Sequence, residues 1–307
     1  MPKKPALNRL FKLCGRDWGG WHLHLFLSQA EVRVLACKAM ADDEALKAAL
    51  RSGQDFHKYV ASIIFNIPVE SVTPDQRQLC KSVNFAVLYG AQAARVAAQT
   101  GITEKAAEAF IAKYMATLPG VKKFQESQHR RSLIEGCCWS AFGRRRLLSS
   151  DVFSQSEIER RSVNTPIQST ASDITLTSYT RSYNRIKEYG MRSLSYLFVH
   201  DSLGFDVYPG EFFDLYEILH HELAVMPPEV YPWLDVPMQA DGDAGFSWGN
   251  LAKIERLDRN NWKFKGSNDN CGALVHLLQK AGHTFRYGVD GGADKDDNFT
   301  WILEVSR

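Results

Sequence analysis

The apolar positions change period repeatedly along the chain, and each change marks an element. Leu23, Leu25 and Leu27 alternate with His22 and His24, the two-residue period of a strand. From Ser28 the pattern turns helical and runs through SQAEVRVLA to Met40. A short helix over Asp42 to Leu50 follows, closed by Gly53. Asp75 to Gly90, DQRQLCKSVNFAVLYG, reads as a helix. Residues 102–117 read as another, with Thr103 as N-cap and Ala107, Phe110, Ile111 and Tyr114 on the apolar face. Pro119-Gly120 separates it from a helix over Val121 to Glu135. Trp139 to Phe142 reads as a strand and Glu157 to Thr180 as a long helix. Leu194–Val199 and Leu203–Val207 read as a hairpin with His200-Asp201-Ser202 at its tip. A helix over Gly210 to Ala224 comes next. Beyond residue 258 the pattern gives a helix at Cys271 to Ala281, a glycine-rich turn at Gly288 to Ala293 and a strand at Phe299 to Val305. Helices and strands mixed in this way define an α/β (α+β) chain.

Composition narrows the classes. With 307 residues, 45% hydrophobic and 23% charged, the chain is long enough to bury a sizeable core. A net charge of +2 requires any nucleic-acid surface to be a local basic patch. The six cysteines form no C-x-x-C pair, which favours reduced thiols in the cytoplasm over disulfides or zinc. No apolar run reaches the ~18 residues of a membrane span, and residues 1–25, a basic leader of unknown role, lack the apolar core of a signal peptide. His22 and His24 have no third metal ligand nearby, and Asp290, Asp294, Asp296 and Asp297 lack the closing glutamate of a calcium loop.

On a helix over Asp75 to Gly90, Arg77, Lys81, Phe85 and Tyr89 recur every four residues and share one slowly twisting face. Two cations one turn apart suit consecutive phosphates, Arg77 as a planar fork and Lys81 as a point charge. A ring one turn further on suits stacking against a base or sugar. The same spacing also describes an amphipathic helix with a solvated basic edge and buried aromatics.

The whole run Arg-x-x-x-Lys-x-x-x-Phe-x-x-x-Tyr-Gly, with Asn84 before Phe85, resembles the nucleotide-binding fingers helix of family-A (polymerase-I-type) DNA polymerases. The resemblance implies that Arg77 and Lys81 hold the incoming triphosphate and that Lys81 donates a proton to the leaving pyrophosphate. It implies that Phe85 stacks on the nucleotide and that Tyr89 closes the pocket. Ser28 to His57 resembles the first palm motif and the residues after it. Glu31 then discriminates the sugar, Gln29 makes a backbone or nucleotide contact, and His57 approaches the triphosphate. FGRRR, with Arg144, Arg145 and Arg146, resembles a DNA-facing loop. RSVNTPIQSTASDI resembles the segment along the primer–template minor groove, with Asn164 and Gln168 contacting base edges or sugars, and Arg160, just before it, touching the DNA template or incoming-nucleotide region. VHD places Asp201 on a metal-binding and catalytic aspartate and His200 on a primer contact.

The resemblance covers about residues 28 to 253, and residues 26–257 are read as palm sheet and helical fingers. Nothing resembles a thumb or an exonuclease, and residues 258–307 form an extension of unknown role. The implied partners are primer–template DNA, a dNTP and Mg²⁺, with no membrane. One departure is chemical. The family's first metal-binding aspartate falls at Phe26, which cannot ligate Mg²⁺. Ser202 also stands where the family has glutamate. Two readings therefore accompany the polymerase itself: an impaired DNA- or nucleotide-binding module, or one half of a split enzyme whose thumb and missing aspartate come from an upstream polypeptide.

Overall fold

The computed structural model describes residues 21–53, 55–90, 93–294 and 296–306, so most of the leader read over residues 1–25 lies outside the described residues. Strand β1 (His22–Leu27) is followed by helices α1 (Ala30–Ala36), α2 (Glu44–Arg51) and α3 (Phe56–Phe65). Next come α4 (Pro74–Leu88), α5 (Ala93–Thr100), α6 (Glu104–Thr117) and α7 (Pro119–Glu135). A small hairpin of β2 (Cys137–Trp139) and β3 (Arg145–Leu147) precedes the 34-residue helix α8 (Gln155–Glu188). Then come β4 (Leu194–Val199), β5 (Ser202–Asp206), α9 (Phe212–His220), α10 (Met226–Val230) and β6 (Ala240–Ser247). β7 (Asn250–Arg256), β8 (Asn261–Ser267), α11 (Asn268–Lys280), β9 (Thr284–Val289) and β10 (Asn298–Ser306) complete the order.

Two of the elements that differ from the sequence reading have a local cause. The helix expected to reach Met40 ends at Ala36, because Cys37 is extended (φ −69, ψ 164) and the chain folds into a turn. Ala41 N–H returns to Leu35 O at 3.0 Å, and the apolar side chains are buried by that turn instead of by further helix. The strand expected at Trp139 to Phe142 is shifted. Cys137 pairs with Leu147 and Trp139 with Arg145, which leaves Ser140 to Arg144 as the turn. Gly143, at φ +80, supplies the left-handed residue that turn needs.

The chain divides into two compact units. One, comprising residues 29–173 and 228–237, is mostly helical. Its α4 begins with a capping box: Thr73 N–H donates to Gln76 Oε1 (2.9 Å) and Gln76 N–H to Thr73 Oγ1 (3.3 Å). Lys47, only 1% exposed, pairs with Asp235 (2.7 Å), Glu44 (3.0 Å) and Asp42, pinning the 228–237 segment against α2.

The other unit, residues 1–28, 174–227 and 238–307, contains an antiparallel sheet in the order β4-β5-β1-β6-β7-β8-β10-β9. Leu23, Leu25 and Leu27 point to its buried face. There Phe212 and Tyr216 of α9 meet Trp21, Trp262 and Phe264 at ring separations of 4.8–6.1 Å. Glu222 is fully buried and accepts from Arg181 (2.6 Å) and Arg185 (3.0 Å), tying the end of α8 to the segment after α9. Strands β8 to β10, beyond residue 258, hydrogen-bond into this same sheet.

Candidate functional site

In the helical unit, α3 and α4 pack through Ala61, Val72 and Cys80, which sets two polar groups of α3 against the cationic face of α4. Asp55 caps α3, accepting from His57 N–H (3.0 Å) and Lys58 N–H (3.1 Å) on one oxygen. Its other oxygen accepts from Arg77 Nε at 2.6 Å. Burial works to raise the Asp55 carboxyl, but the Arg77 and Lys58 hydrogen bonds outweigh it and hold the group below its ordinary range. The bond through Nε leaves the terminal nitrogens of Arg77 for other acceptors. Lys81, one turn on, is exposed.

His57 is 2% exposed. Its Nδ1 lies 3.0 Å from Asn84 Nδ2 on α4; the amide nitrogen can only donate, so Nδ1 accepts and the ring proton sits on Nε2. Burial first, then Arg77 and Lys81, push its pKa down to about 4, against the opposing pull of Asp55. The ring is therefore a neutral N–H donor at physiological pH, beside two cations. Gln125 of α7 donates to the carbonyls of Val87 (3.1 Å) and Leu88 (2.8 Å), completing the end of α4 just before Gly90, at φ +78. Tyr89 is half-buried there. Phe85 lies on α4, and its ring is outside the described residues. Glu31 sits in the first turn of α1, and Gln29, at φ +55, precedes it with its Oε1 buried and unpartnered.

A proton on His57 belongs to the unfolded chain before the folded one, because the folded pKa is the lower. The stability this residue contributes is present above the unfolded value of 6.5 and is lost as pH falls toward about 4. His57→Gln should therefore remove about 2 kcal/mol of the loss seen between pH 7 and pH 5, measured by urea unfolding. An unchanged pH slope would mean that His57 is not held neutral.

Arg160, Asn164 and Gln168 recur every four residues on α8 and share a face. Asn164 Oδ1 is buried without a partner. The turn of the β2–β3 hairpin lies against this part of α8. Arg144 reaches Ser169 O (3.2 Å) and Asp173, while Arg146 donates to Thr165 Oγ1 (3.0 Å). Arg145 lies 5.7 Å from the Trp139 ring. All three arginines keep exposed surface, so hairpin and helix form one polar, cationic strip.

In the sheet unit, Asp201 stands at the tip of the β4–β5 hairpin after His200, which is strained at φ +53. Asp201 O accepts from Leu27 N–H at 3.0 Å, so the tip is locked to the end of β1. Asp201 is exposed by area, yet partial desolvation raises its carboxyl above the ordinary value, with its own backbone and His200 opposing. Phe26 pairs across the sheet with Ser202 on one side and Asp241 on the other, and its ring lies 5.4 Å from His24. Asp241 accepts from Ser28 Oγ. Asp243, paired with His24, has its carboxyl pushed up to about 6 by burial. Among the described residues there is no group of three or more His, Cys, Asp or Glu that could hold a metal ion. An aromatic side chain occupies the corner where the resemblance requires a carboxylate. With Asp241 engaged by Ser28 Oγ, the donor set offers Asp201 as one anchor and does not fit a pair of Mg²⁺ ions.

The structure thus gathers Arg77, Lys81, His57 and Tyr89 around α3 and α4, and Arg144, Arg145, Arg146, Arg160, Asn164 and Gln168 around α8. His200 and Asp201 lie together on the sheet hairpin. Sequence reasoning gave no role to Asp55 or Asn84. Their signals were an N-cap aspartate two residues before His57, and an asparagine spaced to reach back from α4.

Residues 18–250 match the family model described as DNA polymerase family A. The thermostable DNA polymerase I of Thermus aquaticus is 36% identical over 234 residues, 75% of this chain and 27% of that protein. DNA polymerase I of Pseudomonas aeruginosa is 32% identical over 225 residues, 72% of this chain and 24% of its own length. A solved polymerase domain from M. smegmatis, in complex with DNA primer–template and dNTP, superposes with a TM-score of 0.72 at 28% identity, covering 80% of this chain and 42% of that one. The chain belongs to DNA polymerase family A. It spans about a quarter of the length of the curated relatives it matches. No helix among the described residues is long and apolar enough to cross a membrane.

Proposed function

We propose that the chain is the palm-and-fingers portion of a DNA-directed DNA polymerase, selecting a deoxynucleoside triphosphate against a template at a primer end. The observation that supports this most is the α4 face: exposed Lys81 one turn from Arg77, with neutral His57 beside them, within a family-A match. In this reading Arg77 and Lys81 bind the triphosphate, and His57 Nε2–H donates to it. Phe85 stacks on the nucleotide, Tyr89 closes the pocket, Glu31 crowds a ribose 2′-hydroxyl and Gln29 contacts the nucleotide or its backbone surroundings. Arg144, Arg145, Arg146 and Arg160 grip DNA phosphates, Asn164 and Gln168 touch the minor groove, and His200 meets the primer. The primer 3′-hydroxyl attacks the α-phosphate, and Lys81 protonates the departing pyrophosphate. Mg²⁺ is the metal of the family, and Asp201 is the residue here that would hold it.

A second reading rests on Phe26. The isolated chain binds primer–template and nucleotide but transfers slowly, and an upstream polypeptide supplies thumb and carboxylate. Mixing with such a polypeptide restores extension in that case, and leaves it unchanged if this chain only binds.

Binding to primer–template should weaken steeply with salt. Each phosphate neutralised contributes about −0.9 to the slope of log K against log salt, so the four arginines predict about −3.6, less what the Asp173 pairing of Arg144 withholds. Fluorescence anisotropy over a salt series measures it, and a slope of zero would remove any DNA role.

A further inference from the structure

We propose that β9 pairs with β9 of a second copy of this chain, joining two sheets about a two-fold axis at Gly288. Such pairing does not depend on the polymerase reading. β9 ends the sheet, so one side of its backbone faces no strand among the described residues. Natural edges are usually blunted by proline, lysine, a bulge or a covering element. TFRYGV contains neither proline nor lysine, and its ladder with β10 runs from Trp301↔Val289 to Ser306↔Thr284 with no register shift. Tyr287 and Val289 are 51% and 46% exposed, although they lie on the same sheet face as the buried Leu303 and Val305.

The backbone direction is set by the ladder. Asp290 N–H bonds inward to Thr300 O at 2.8 Å. Inward and outward residues alternate in an antiparallel pair. Residues 284, 286, 288 and 290 therefore bond to β10, while Phe285, Tyr287 and Val289 direct their N–H and C=O groups to the open edge.

Charge selects the register. Arg286 and Asp290 are exposed and point to the face opposite Tyr287 and Val289. Antiparallel pairing centred on Gly288 sets Arg286 opposite Asp290 of the partner subunit, twice by symmetry. It also sets Tyr287 opposite Val289 of the partner subunit, both through outward hydrogen-bonding groups. Pairing centred on Arg286 would oppose two guanidiniums, which is unfavourable. A slip of one residue would set outward groups against inward ones and flip every side chain. Glu304 stands across the ladder from Arg286 within the chain, which leaves the outer side of Arg286 for a second carboxylate. The partner is identified by this self-complementarity: a cation and an anion placed symmetrically about one glycine match their own strand run in reverse.

Sedimentation velocity over a concentration series of the full chain tests the pairing. The expected result is a reversible dimer. Arg286→Asp and Asp290→Arg should each weaken it about tenfold or more, since each turns both symmetric pairs into like charges. The double variant should recover wild-type dimerisation, because it restores both pairs with reversed polarity. Tyr287→Pro, which removes an outward N–H together with the ring stacked on Trp301 of the same chain, should abolish it, whereas Tyr287→Ala, which removes the ring and keeps the N–H, should not. A chain that remains monomeric at every concentration would overturn the proposal. So would a dimer indifferent to either charge reversal, or one that the double variant fails to recover.

Discussion

Phe26→Asp should tighten Mn²⁺-dependent nucleotide binding by roughly ten- to a hundredfold, the equivalent of one charge-assisted contact of about 1.5–3 kcal/mol. The reason lies in the register. Phe26 is held between Ser202 and Asp241, one residue before Leu27, whose N–H bonds Asp201 O. A carboxylate placed there stands beside Asp201 on the same corner of the sheet and supplies the second anchor that the wild-type donor set lacks. The same substitution should lower stability without metal. It removes the ring contact with His24 and crowds a third carboxyl against Asp201 and Asp241. Added Mn²⁺ should then raise the melting temperature of Phe26→Asp more than that of wild type, since an ion that binds only the folded state stabilises it by mass action. Equal responses of the two proteins to Mn²⁺ would show that Phe26 does not occupy a ligand position.

Arg77→Ala and Lys81→Ala should each weaken triphosphate binding by roughly 1.5–3 kcal/mol, the range for hydrogen bonds to charged groups, whereas Gln78→Ala, off that face, should leave it nearly unchanged. Isothermal titration with a matched dNTP on primer–template measures this. The structure adds a graded member to the series. Asp55 holds Arg77 at 2.6 Å and also caps α3. Asp55→Asn keeps a capping oxygen but loses the charge that orients the guanidinium, so its effect should fall between those of Gln78→Ala and Arg77→Ala. Equal losses from Arg77→Ala, Lys81→Ala and Gln78→Ala would rule out a single binding face on α4.

Much of the candidate site was legible in the sequence because its spacing is the spacing of single elements. The four-residue recurrence of Arg77 and Lys81 becomes one face as soon as α4 forms, and Tyr89 stands just past its end. The alternation of Leu23, Leu25 and Leu27 fixes which side of β1 is buried, and so sets Phe26 on the other side. The groups that orient the site were less legible, because they act between elements. Asp55 reaches Arg77 from the cap of another helix, and Asn84 reaches His57 only once α3 and α4 pack. Most of the sheet beyond residue 250 was missed for a different reason. In β8, Trp262 and Phe264 alternate with Lys263 and Lys265, a strand period, but short apolar steps among charges give a weak signal until β7 and β10 flank them.

Single-turnover primer extension by wild type, Phe26→Asp and Asp201→Ala, with matched dNTP in Mg²⁺ and in Mn²⁺, tests the central claim most directly. The prediction is very slow or no extension by wild type, faster extension by Phe26→Asp, and none by Asp201→Ala. Robust extension by wild type that survives Asp201→Ala would contradict it.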